Sequence, residues 1–135
     1  MRDRGTNYPA IGAFVGFTIH DVERGKITIS GTPRAEHYNP FGVVHGGFAS
    51  TLLDLALGHV SVTALASAEE AVTTTDLSVK YVRPMFESTG TVFCDATVLH
   101  QGKRIVVAEA RLRDADGRLL ALAQSTCLVV ARSPG

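Results

Sequence analysis

The chain has 135 residues, 45% hydrophobic and 19% charged, which is enough apolar material for one buried core and too much for a disordered chain. Thirteen basic residues balance thirteen acidic ones, for a formal net charge of zero. There is no basic excess of the kind nucleic-acid binding requires, and little like-charge repulsion to keep two copies apart.

Residues 1–135 read as a single domain, with 1–11 a polar, Pro-containing loose lead-in. The opening Met-Arg-Asp-Arg-Gly lacks the apolar stretch of a secretory signal. Phe14 to His20 and Lys26 to Gly31 are predicted as two short strands joined around Glu23-Arg24-Gly25; in the second, Ile27 and Ile29 alternate with polar residues. An irregular connection with the turn pair Asn39-Pro40 leads to His45-Gly46-Gly47. The apolar run from Phe48 to about Ala66 is rich in Ala and Leu and is predicted as a helix. Asp54, Gly58 and His59 interrupt it, so no membrane span is expected. After Glu69-Glu70 the period changes: Leu77, Val79 and Tyr81 alternate with polar residues in a strand stopped at Arg83-Pro84. Thr89 to Leu99 and Arg104 to Arg113 follow as a hairpin turning at Gln101-Gly102-Lys103, and Asp114-Ala115-Asp116-Gly117 turns the chain into a last strand, Leu119 to Val130. Cys94 and Cys127 lie in strand-like runs without metal-ligand spacing, and two buried thiols in a reducing cytoplasm are expected.

Two strands, one long helix and four strands make an α+β chain. Strands joined by short turns pair antiparallel, and a helix apolar on most sides needs cover on most sides. One curled sheet around one helix supplies it and leaves a flank for a second copy.

Asp54 sits among Leu52, Leu53, Leu55 and Leu57. A buried, unpaired carboxylate is costly, so a partner or a shifted pKa is expected. At steps of three or four, Gly47, Ser50, Thr51, Asp54, Gly58 and Ser61 share one small, polar helix face. That stripe suits close approach by a ligand or another backbone, and equally a solvent-facing side. Gly46 and Gly47 stand where the first N–H groups of a helix lack partners and the dipole favours negative charge. Such donors form an oxyanion hole; a plain tight turn is the other reading. Asp54 lies seven residues beyond Gly47, about 10 Å along the axis, so one carbonyl group cannot touch both. If both serve one acyl carbon, they come from different chains, with two antiparallel helices across a two-fold and two shared sites.

The run Asn39-Pro40-Phe41-Gly42-Val43-Val44-His45-Gly46-Gly47, with Asp54 following, resembles the hotdog-fold acyl-CoA thioesterases of the phenylacetate-degradation type, within the 4-hydroxybenzoyl-CoA thioesterase superfamily. The segment Thr74 to Pro84 matches the family as well. The resemblance implies an antiparallel sheet of five to six strands wrapped around a central helix, and hydrolysis of an acyl-CoA to free acid and coenzyme A. It implies Asp54 as general base or nucleophile and the Gly46 N–H as oxyanion donor. Asn39 and His45 would support the carbonyl and leaving thiolate, and Thr74 would orient the water or the carboxylate. A one-residue slip among Thr73, Thr74 and Thr75 reverses the strand face, so the choice among them stays open. A thiolate leaves readily (thiol pKa near 8.5), so a carboxylate and an oxyanion hole suffice. No metal and no cofactor are expected, coenzyme A being part of the substrate.

Gly47, Phe41, Val43, Val44 and Phe48 flank the proposed carbonyl site as acyl-pocket or core residues. Arg83, Lys103 and Arg104 are candidates for the coenzyme A phosphates or ordinary solvated charges. His20, His37, His59 and His100 read as surface or packing residues. The expected assembly is a homodimer, paired into a dimer of dimers. Two rivals share the fold. A non-catalytic acyl-CoA-binding protein would bind without releasing thiol. An enoyl-CoA hydratase carries D-x-N-P-x-H, but His37 and Gly42 occupy its acid and base positions here.

Overall fold

The computed structural model describes residues 11–132, so the expected lead-in lies, apart from Ile11, outside the described residues. In chain order the elements are helix α1 (Ile11–Val15), strands β1 (Thr18–Glu23) and β2 (Lys26–Gly31), helix α2 (Gly46–Thr63), and strands β3 (Glu70–Tyr81), β4 (Val92–Gln101), β5 (Ile105–Arg113) and β6 (Leu119–Ala131). Short 3-10 turns lie at Ala35–His37 and Glu87–Thr89.

The first strand is shorter than the sequence suggests. Phe14 and Val15 belong to α1, and β1 begins only at Thr18. Ile11, Phe14 and Val15 follow the three-four spacing of a helical turn, and Gly16, at φ +67°, ends it with its N–H donating to Gly12 O at 2.8 Å. The strand predicted from Thr89 starts at Val92, because Glu87–Thr89 closes as a 3-10 turn.

All six strands form one sheet in the order β1-β2-β4-β5-β6-β3, and every neighbouring pair is antiparallel. The expected hairpins β1–β2, β4–β5 and β5–β6 are present, but β3 does not pair with β4. The free side of β2 takes β4, and β3 closes the far edge along β6 over its whole length. The hotdog arrangement expected from the motif results: an antiparallel sheet curled around one long helix. Leu52, Leu53, Ala56, Leu57 and Val60 of α2 are buried against inward residues of the sheet that are mostly small, among them Cys94, Ala96, Ala108, Ala110, Ala121 and Ala123. Large residues on the helix against small ones on the strands let it sit close to a curved sheet. Each buried leucine contributes about 1.5–3 kcal/mol by leaving water.

The expected polar helix stripe ends at Gly58. Ser61 is fully buried and donates to Leu57 O at 2.7 Å. Both cysteines are free and buried, and burial, with the charge of Asp95, pushes the Cys94 thiol far above its usual range. His37 is buried with both ring nitrogens bonded. Its Nδ1 accepts from the Arg34 N–H at 2.9 Å, so its Nε2–H donates to Phe14 O at 2.8 Å and ties α1 to the core. No helix among the described residues is long and apolar enough to cross a membrane.

Candidate active site

The first turn of α2 is built by its cap. His45, in extended backbone at φ −59° and ψ 138°, accepts the Gly47 N–H on Nδ1 at 2.7 Å. A neutral His45 therefore carries its proton on Nε2. The His45 N–H donates to His37 O at 2.7 Å, and His45 O accepts from the Phe48 N–H at 2.9 Å. Among the described residues the Gly46 N–H has no acceptor. Of the two glycine donors, then, Gly46 is open and Gly47 is engaged.

On the flank of α2 that faces β3, two strand hydroxyls meet the helix. Thr74 Oγ1 donates to Asp54 Oδ1 at 3.0 Å. Having one hydrogen, that hydroxyl accepts from Cys127, whose Sγ is 3.8 Å away. At the other end of β3, Tyr81 donates to Gly46 O at 3.0 Å and is also hydrogen-bonded to Ser50. Leu77, Val79 and Tyr81 share the inward face, and strict alternation would place Thr75 and Thr73 there as well. A bulge between Thr74 and Asp76 shifts the register, so Thr74 turns inward while Thr75 donates to Thr126 O at 3.2 Å.

Asp54 is half-buried and takes part in no ion pair among the described residues. The expected deep burial is not realised in this chain: Asp54 faces the open flank along β3, and the Leu-rich side packs on the sheet. Asn39 turns its carboxamide oxygen onto its own loop, accepting from the Phe41 N–H at 2.9 Å and the Val43 N–H at 3.3 Å. Its NH2 has no acceptor among the described residues.

Phe48 and Val44 are core residues, Val43 is half-buried, and Phe41 stands 89% exposed at the loop tip. A groove of about 320 Å3 runs beside the other flank of α2, lined by His45, Gly47, Phe48 and Thr51 with Phe14, Val15 and Tyr38. The expected basic residues do not converge in this chain. Arg83 follows the end of β3, its N–H on Leu120 O at 3.0 Å, whereas Lys103 and Arg104 lie in the β4–β5 turn, where the Val129 N–H donates to Arg104 O at 2.7 Å, beside the start of β3. Twelve strand residues, roughly 36–40 Å, separate the two groups. Sequence reasoning missed Tyr81 and the contribution of α1. Tyr81 was visible only as the last inward position of an alternating strand.

A family model described as the thioesterase superfamily matches residues 41–121. A 1,4-dihydroxy-2-naphthoyl-CoA hydrolase of Listeria monocytogenes is 28% identical over 115 residues, covering 85% of this chain and 91% of that protein. Among solved structures, a conserved protein of Pseudomonas aeruginosa matches at a TM-score of 0.83 and 28% identity, over 96% of this chain and 100% of the other. An E. coli protein of the phenylacetic acid degradation operon matches at 0.80 and 23% identity, over 96% and 88%; at that identity the likeness speaks to the fold.

Proposed function

The chain belongs to the thioesterase superfamily, with the hotdog fold, and from that premise we propose that it hydrolyses an acyl-CoA thioester to a free carboxylic acid and coenzyme A. The placement of two groups on one helix carries the reading: among the described residues the Gly46 N–H at the start of α2 is unengaged, and Asp54, two turns further on, pairs with no cation. The name of the Listeria relative, a hydrolase of a coenzyme A thioester, supports the substrate class.

In the reaction the thioester carbonyl oxygen takes the Gly46 N–H, where the helix dipole adds to the hydrogen bond as negative charge develops. Asp54 acts at the carbonyl carbon, as a base that takes a proton from the attacking water or as a nucleophile that adds to the carbon itself. Collapse of the tetrahedral adduct breaks the C–S bond, and the thiolate of coenzyme A leaves and is protonated; the first route gives the free acid directly, and the second leaves a mixed anhydride on Asp54 that water hydrolyses to the acid. Thr74 holds Oδ1, which leaves Oδ2 for the water or the carbon. His45 and Asn39 flank the entrance with Nε2–H and NH2 donors for the leaving end. The 320 Å3 groove beside Gly47 and Phe48 suits the acyl group.

Eight residues separate Gly46 from Asp54, about 12 Å along the axis, so the two groups that act on one carbon come from two copies. Pairing β3 edge to edge across a two-fold sets the α2 helices antiparallel. It also brings Arg83 of one copy to the same end of the joined sheet as Lys103 and Arg104 of the other, with β6 and β3 between them, a basic end for the coenzyme A phosphates.

Asp54→Asn removes the charge and keeps the shape. It is expected to lower kcat by about a thousandfold or more, read as thiol released from a panel of acyl-CoAs, without changing molecular mass by light scattering. Turnover within a few-fold of the unmodified protein refutes the assignment.

A further inference from the structure

We infer that Tyr81 is a positioning residue that aims the Gly46 N–H at the substrate carbonyl; the inference rests on the thioesterase reading. The first turn of α2 contains two peptide groups that matter. The group between Gly46 and Gly47 is held at both poles: its carbonyl accepts from Tyr81 at 3.0 Å, and its N–H donates to His45 Nδ1 at 2.7 Å. The group between His45 and Gly46 is held at its carbonyl alone, by the Phe48 N–H at 2.9 Å. The direction of the Gly46 N–H is therefore fixed by its neighbours and not by an acceptor of its own.

A phenol has one hydrogen. That of Tyr81 is on Gly46 O, so the Ser50 hydroxyl donates to Tyr81, and a chain of bonds runs from Ser50 through Tyr81 to Gly46. Ser50 lies one turn beyond Gly46, so a single side chain from β3 clamps two consecutive turns. The ring crosses the backbone closely: a Cβ on Gly46 would stand 3.2 Å from the ring and from the phenol oxygen. Glycine here serves two ends, access to its N–H and room for the clamp.

Helix ends lack the intrahelical bonds that stiffen the middle, and a donor misplaced by about 1 Å costs on the order of a hundredfold in rate. Tyr81 makes no bond to Asp54 and acts on the chemistry only through the Gly46 backbone.

Tyr81→Phe keeps the ring and removes the hydroxyl. The expected result is a kcat lower by about tenfold to a hundredfold, KM within about twofold, and a pH–rate profile of unchanged shape. The 15N order parameter of the Gly46 amide should also fall from the rigid value of about 0.85 towards 0.6. An unchanged kcat, or an unchanged order parameter, overturns the inference. So does a raised KM at constant kcat, which marks Tyr81 as a substrate contact, and so does loss of an alkaline limb, which marks the phenol as an acid. If the unmodified protein releases no thiol from any acyl-CoA, the thioesterase reading fails, and the order parameter alone decides the clamp.

Discussion

A carboxylate amid leucines is tolerated in α2 because the helix has a side the sheet does not cover. Asp54 faces that side, and among the described residues Thr74 supplies the one hydrogen bond to its carboxylate. Asp54 and Gly46 stood out as candidates in the sequence because their chemistry is out of place, an acid in an apolar run and a Gly pair at a helix start, whereas His45 entered through the resemblance. Tyr81 was hidden because an aromatic residue at the inward position of a strand looks like core. The outer sheet face offers a contrasting carboxylate. Asp95 accepts from Arg113 Nε at 2.7 Å and from Thr28 Oγ1 at 2.8 Å. Partial burial raises its pKa, but the bonds from Arg113 and Thr28 outweigh this, and the result lies below the usual carboxylate value. The folded state thus binds the proton less readily than the unfolded one. The stabilisation is full above the unfolded pKa near 4 and is lost as pH falls through the depressed folded value. Both partners are more than a third exposed, at 37% and 41%, so solvent screens the pair. Asp95→Asn is expected to cost roughly 0.5–1 kcal/mol at neutral pH, read as a lower Tm, with the gap from the unmodified protein shrinking as pH falls below the unfolded value near 4. A gap of equal size at pH 3 and pH 7 contradicts this account.

At the level of elements, α2 was legible because its composition and length leave few alternatives. β2, β5 and β6 were legible because alternation and turn residues mark them locally. The partner of β3 was not legible, since the β3–β6 pairing joins segments far apart in sequence and no local signal encodes it. The bulge in β3 was not legible either. Three consecutive threonines give no periodicity from which to read a one-residue shift, and the inward member is chosen by pairing with β6. The bulge makes a sharp prediction about neighbours of identical chemistry. Thr74→Val removes the hydroxyl that holds Asp54 and is expected to lower kcat by about tenfold. Thr75→Val removes only a surface bond to Thr126 O and should leave kcat within about twofold. Steady-state thiol release from both variants decides it. Equal losses, or a larger loss at Thr75, mean that the bulge does not set the site.

For the whole molecule, the two edges of the sheet differ. β1 is a six-residue strand with its own register break, between Ile19 and Asp21. β3 is twelve residues long and leaves Thr73, Thr74, Thr75 and Asp76 exposed. An edge of that length is a template for pairing with another chain, and zero net charge does not oppose it. If two copies join there, each site takes Asp54 from one chain and Gly46 from the other, which mixed variants test. Asp54→Ala disables one half of the site. Gly46→Pro disables the other by deleting the N–H, at the first helical position, where proline is accepted. His45 before it already has ψ 138°, the extended conformation that a residue preceding proline favours. The ring must still fit against Tyr81, so a melting curve for this variant comes first. Random exchange of equal amounts makes half of the dimers mixed, and each mixed dimer holds one intact site of two. Activity should therefore recover to about a quarter of the unmodified level from two nearly inactive parents. Two folded variants that exchange subunits and stay inactive together place both groups in one chain, and the shared site is then wrong.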